Sequence, residues 1–128
     1  MENNIKLQLF PNRFSICRLR ANYDYPRWAE NDIFCSITRT DEELSVITLE
    51  NKVNVCANRN DGWRLIKILG PLDFTMIGVV YSLTEILAKA NISVVVVSTY
   101  DTDYLLVKEE KVDEAVECLS EKFGFAGE

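Results

Sequence analysis

Two stretches of this chain, sixty residues apart, share one design, and that repeat constrains the fold more than any other feature. Thr38-Arg39-Thr40-Asp41-Glu42-Glu43-Leu44-Ser45-Val46-Ile47 aligns with Ser98-Thr99-Tyr100-Asp101-Thr102-Asp103-Tyr104-Leu105-Leu106-Val107, each reading as strand, acidic turn, strand. Ile16 to Leu19 echoes Ile66 to Leu69 at an offset of fifty. The ten-residue difference falls where the second copy carries a long helix and the first carries a loop around Pro26. These alignments predict an α+β protein of two ferredoxin-like units, the first with reduced helices. Residues 1–60 form the degenerate unit, and residues 61–128 the unit with two helices.

Local patterns fill in the elements. Phe14 to Leu19 alternates apolar and polar residues as a strand does, and Leu7 to Phe10 reads as a shorter edge strand closed by Pro11. Arg20 to Asp32 reads as a loop with one helical turn near Trp28, its aromatics Tyr23, Tyr25 and Trp28 covering the core where a helix is lost. Ile33 to Thr38 and the β-branched run Leu44 to Leu49 are strands around the turn Asp41-Glu42-Glu43. Asp61-Gly62 reads as a turn that opens the second unit, with Trp63 to Leu69 as its first strand. Met76, Val79, Val80, Leu83, Leu87 and Ala90 recur at helical spacing, which predicts a helix from Thr75 to Ala90, capped by Asp73 or Thr75 and stopped at Asn91. The four consecutive valines in Ile92 to Val97 predict a strand buried on both faces, with Tyr104 to Lys108 pairing back on it. Val112, Val116, Leu119 and Phe123 predict a second helix, with Gly124 at its C-terminal end. Only four residues follow Gly124, so a last edge strand would be short or missing, which favours pairing with another copy of the chain.

Composition excludes several functions. With no histidine, the commonest general base and the Ser-His and Cys-His nucleophile pairs are absent. Neither a Walker loop nor a GxGxxG sequence occurs, and no metal cluster or cofactor is expected. Asp101-Thr102-Asp103 has calcium-like spacing but lacks the further ligands and glycine of a loop site. Residues 1–60 carry eight Lys or Arg against eight Asp or Glu, and residues 61–128 carry six against twelve. That acidic second half argues against a nucleic-acid partner, whose backbone is held by clustered cations. No apolar run approaches the roughly 20 residues of a membrane span, and Met1 to Asn4 does not open a signal peptide, so a cytoplasmic location is expected. Cys17, Cys35, Cys56 and Cys118 form no CxxC pair and read as four reduced, buried thiols.

Two stretches present exposed backbone and carboxylates suited to a small polar molecule: Gly70 to Gly78 and Ser98 to Tyr104. Together with Phe14 to Leu19 and Phe34 to Ser45, these segments resemble the tandem ACT proteins related to the CASTOR arginine sensors, over about residues 7 to 124. The aspartokinase regulatory ACT domains are similar as well. The resemblance implies ACT-type βαββαβ units, amino-acid binding at the joint between units, and a non-enzymatic regulatory role, acting as a homodimer or on a regulated partner protein. On this reading the ligand-binding residues are Leu72, Asp73, Phe74, Thr75 and Gly78 on one side and Ser98, Thr99, Tyr100, Asp101, Thr102 and Asp103 on the other. A helix start offers unpaired N–H groups to the ligand's carboxylate. Asp73, Asp101 and Asp103 are the side-chain acceptors for its ammonium. Each also has a purely structural reading: Asp73 as a helix cap, Asp101 and Asp103 as turn residues, Gly78 as a close-packing glycine. A protein-interaction module that pairs edge strands and binds no ligand is the alternative.

Overall fold

The computed structural model describes residues 5–54, 56–69 and 78–127. Seven strands are present among them: β1 (Lys6–Leu19), β2 (Ser36–Arg39), β3 (Leu44–Leu49), β4 (Asn58–Ile68), β5 (Val95–Ser98), β6 (Asp103–Lys108) and β7 (Gly124–Phe125). Two α-helices, α1 (Val79–Lys89) and α2 (Val112–Leu119), and three single-turn 3-10 segments complete the α+β set. No helix among the described residues is long and apolar enough to cross a membrane. The chain divides into two compact units, one of residues 12–63 and one of residues 1–11 with 64–128.

In the 12–63 unit, β2 pairs with β3 and β3 with β1, all antiparallel, and β4 follows β1 in strand order. The register Cys17↔Val46 and Leu19↔Leu44 places four apolar side chains on one face, where they pack with Ala29. The 3-10 turn Arg27–Ala29 brings that alanine in, and Tyr23 and Trp28 lie over the cluster as expected, whereas Tyr25, expected there too, is 49% exposed. Asn31 ties the loop down. Its Oδ1 accepts the N–H groups of Ile33 and Phe34 at 2.8 Å, while its Nδ2 donates to the buried Thr48 hydroxyl at 3.0 Å.

In the other unit the strand order is β1, β4, β6, β5, with β7 parallel to the start of β1 through Lys6↔Gly124 and Leu7↔Phe125. Val79, Leu83 and Leu87 recur every four residues on α1, and Val112, Ala115 and Leu119 line one side of α2. These side chains form one core with Leu7, Ile66, Ile68, Leu105 and Val107 from the strands. The α1 C-terminus is a Schellman motif: Asn91 is left-handed at φ +63°, its N–H bonds the Ala88 carbonyl, and Ile92 N–H bonds Leu87. Asn91 stops the helix as its position predicts.

Several expectations are corrected. Leu7 to Phe10 is no separate edge strand, because β1 runs unbroken through Pro11. Asp61-Gly62 is no turn. It lies inside β4, where Gly62 takes φ +83° and gives its N–H to the Glu50 carboxylate at 2.7 Å. The valine strand is not buried on both faces: β5 pairs only with β6 among the described residues, and Val96 is 39% exposed. Gly124 is a strand residue of β7 and not a helix terminator, since α2 ends at Leu119. Of the four cysteines, all free, only Cys17 is buried.

Candidate functional site

The turn between β5 and β6 is where most of the described site residues lie. Ser98↔Asp103 is the last pair of the ladder, and the loop closes through Thr99 N–H to the Thr102 carbonyl at 2.8 Å. The Thr99 hydroxyl reinforces it, accepting Thr102 N–H at 3.3 Å. Ser98 Oγ is hydrogen-bonded to Asp103 Oδ1, so this carboxylate is held beside the strand end. Thr102 is the one buried residue of the turn, and its hydroxyl donates to the Ile68 carbonyl at 2.6 Å. Asp101 is exposed and makes no hydrogen bond or ion pair with the described residues, and Tyr100 stands out at 86% exposure. The structure thus brings Ser98, Thr99, Thr102 and Asp103 together by their own contacts and leaves Asp101 facing solvent.

Leu72, Asp73, Phe74 and Thr75 lie outside the described residues. Gly78 is described, and it corrects the expected helix start. The helix begins at Val79, preceded by Gly78 as N-cap at φ +90°, while Asp73 and Thr75, the expected caps, lie outside the described residues. A Cβ on Gly78 would have no described atom within 4 Å. Its left-handed backbone is what calls for a glycine here. Ser82 N–H reaches back to the Gly78 carbonyl at 2.8 Å, which leaves the N–H groups of the first turn without helical partners.

The turn between β2 and β3 has the same construction. Thr40 N–H bonds the Glu43 carbonyl at 2.9 Å, and the Thr40 hydroxyl accepts the N–H groups of Glu42 and Glu43 at 3.1 Å. Arg39↔Leu44 closes this hairpin as Ser98↔Asp103 closes the other, which makes the equivalence an offset of 59. The expected offset of 60, set by matching Asp41 to Asp101, is one residue out. Thr40 corresponds to Thr99 and Glu42 to Asp101, whereas Asp41 falls on Tyr100 and Glu43 on Thr102. The first turn is also occupied: Arg18 donates to the Glu42 carbonyl at 3.1 Å and lies 3.9 Å from the Glu43 carboxylate.

Beside Arg18 is an open groove of about 350 Å³, lined by Ile16, Cys17, Glu43, Ser45 and the β4 segment Asn58 to Asn60. Arg59 on its wall pairs with Asp61 at 3.0 Å, and hydrogen bonds from Ser15 and Arg59 hold the Asp61 carboxyl below its ordinary range. Sequence reasoning passed over this groove, whose residues come from three strands with no shared motif. No group of three or more His, Cys, Asp or Glu suited to a metal ion occurs among the described residues.

Comparison with known proteins places these features. A family model described as an ACT domain matches residues 58–121, which include Gly78 and the whole β5–β6 turn, and a second model for an N-terminal domain matches residues 12–55. A protein of Agobacterium tumefaciens is 34% identical over 97% of this chain and 93% of its own, with a TM-score of 0.89. A Vibrio cholerae protein of unknown function aligns at 22% identity over 91% of this chain and 88% of its own, TM-score 0.72. The fold is also that of the regulatory subunit of aspartate kinase from Thermus thermophilus, at 9% identity over 91% of this chain and 95% of that one, TM-score 0.60. No curated protein matches in sequence. The chain therefore belongs to the ACT-domain family.

Proposed function

We propose that the protein is a non-enzymatic regulator that binds a free amino acid at the β5–β6 turn. The observation that carries this reading is that the ACT-domain match spans a turn whose backbone is already closed by its own threonines while Asp101 is left unspent. A pre-formed loop with an exposed carboxylate suits an ammonium group, because the ordering cost is met before the ligand arrives. Ser98, Thr99, Tyr100 and Asp103 frame it, and the helix start at Gly78 would face the carboxylate with the N–H groups of its first turn. Leu72, Asp73, Phe74 and Thr75 enter the site from sequence alone. The equivalent hairpins support reading the chain as two ACT-type, ferredoxin-like units in tandem, the first helix-poor.

Thermal-shift screening against the twenty amino acids tests this function. One or a few should raise Tm, since a ligand at 100 times its dissociation constant adds ~2.7 kcal/mol. No shift with any of them at millimolar concentration would contradict it.

A second reading has one observation in its favour. β5 is an edge strand among the described residues, short and apolar, and such an edge is a template for pairing with a second copy. A dimer by light scattering that is dissociated by Val96→Lys would support it, and a monomer at high concentration would refute it.

A further inference from the structure

Cys17 in β1 and Cys56, just before β4, are far apart in sequence but belong to one apolar cluster of the 12–63 unit, with Leu19, Ala29, Leu44 and Val46. The Cys56 thiol lies against the β1 backbone. Its Sγ is 3.7 Å from the Arg18 carbonyl oxygen and 3.3 Å from that of Asn58. Arg18 adjoins Cys17 in the chain, so the Cys56 thiol lies against the backbone next to Cys17, within the cluster that both side chains share. Exposure divides them: Cys17 is 1% exposed, whereas Cys56 is half-buried at the surface.

We propose that Cys56 and Cys17 form a reversible oxidation site, in which Cys56 meets a small peroxide and Cys17 closes an intramolecular disulfide. Cys56 sulfur attacks hydrogen peroxide, forming an S–O bond as the O–O bond breaks. The departing hydroxide takes the Cys56 proton and leaves as water. Cys17 sulfur then attacks the sulfenic sulfur, forming the S–S bond as the S–O bond breaks, and the hydroxyl leaves with the Cys17 proton as a second water. Two thiols are oxidised by two electrons and one peroxide is reduced. A dithiol reverses the bridge by exchange. Burial assigns the roles: of the two, Cys56 is the one at the surface, while Cys17 is 1% exposed, with its thiol 3.6 Å from the Ser15 hydroxyl. The bridge would tie the segment leading into β4 to β1 at the groove lined by Arg18, Asn58 and Arg59, so the redox state would act on that surface.

Peptide mapping tests this, because trypsin places the four cysteines on separate peptides, residues 14–18, 28–39, 53–59 and 112–122. Native protein treated with stoichiometric hydrogen peroxide, then alkylated, should give a linked pair of 14–18 with 53–59, two hydrogens lighter than the separate peptides. Cys35 and Cys118 should remain alkylated, and dithiothreitol should abolish the link. Cys17→Ser should strand a dimedone-reactive sulfenic acid on Cys56. Persistence of that sulfenic acid in the unsubstituted protein, oxidation of Cys56 no faster than Cys35 and Cys118, or linkage to either of those would overturn the proposal.

Discussion

Thr102 Oγ1 lies 2.6 Å from the carbonyl oxygen of Ile68, a buried hydroxyl joining the β5–β6 turn to the end of β4. The other turn residues are exposed or half-buried, so this bond ties the turn to the core.

Thr102→Val keeps the shape and removes the donor, leaving the Ile68 carbonyl without that partner. A loss of about 1–3 kcal/mol is expected in urea denaturation. Thr99→Val, at the exposed end of the same turn, should cost less than about 1 kcal/mol, because solvent can replace the lost contacts. Equal losses at the two positions would show that Thr102 is no anchor.

Asn31 carries the first unit's long loop in the way Thr102 carries the turn. Asn31→Ala removes acceptors for two backbone N–H groups and the donor to Thr48, and should cost at least ~2 kcal/mol. Amide exchange at Ile33 and Phe34 should accelerate, while Asn22→Ala, at an exposed position, should leave both unchanged.

Gly78 is left-handed, and no described atom lies within 4 Å of a Cβ built on it, so Gly78→Ala should cost ~1–2 kcal/mol from backbone conformation. Gly78→Asn should cost less, as Asn91 already adopts this geometry at the opposite end of α1. A larger loss for asparagine than for alanine would point to crowding instead of conformation.

Burial pushes the Cys17 thiol up to about 11 from 9.0, with the Cys56 neighbour adding to it. The unfolded chain therefore releases this proton first as pH rises. The contribution to stability is whole below about 9 and is lost as pH climbs toward 11. Denaturation midpoints across that window should fall more steeply for the unsubstituted protein than for Cys17→Ser; parallel curves would contradict the assignment.

Much of the architecture was legible where local chemistry and tertiary contacts agree. Leu44 to Leu49 is bounded by a turn and a 3-10 segment, and its β-branched residues form the strand at the expected limits. Asn91 ends α1 because the Schellman geometry is local. Pro11 and Gly62 misled because both punctuate structure in isolation. Gly62 stays within β4 through a contact with Glu50, twelve residues away, that no short window contains. The offset of the two hairpins slipped by one residue because aligned acids dominate a sequence match, whereas the turns are built on Thr40 and Thr99. Asp103 was legible as a turn residue, but its bond to Ser98 depends on strand register. The Cys17–Cys56 neighbourhood was invisible for the same reason.

Binding of an amino acid at the β5–β6 turn is read residue by residue in a two-dimensional NMR titration with the amino acid that most raises Tm. Saturable shifts should concentrate on the amides of Ser98 to Asp103 and of Gly78 to Tyr81, and Asp101→Asn should weaken binding at least tenfold while leaving Tm of the free protein unchanged. Saturable shifts confined to residues 12–63, or none with any amino acid, would contradict the account.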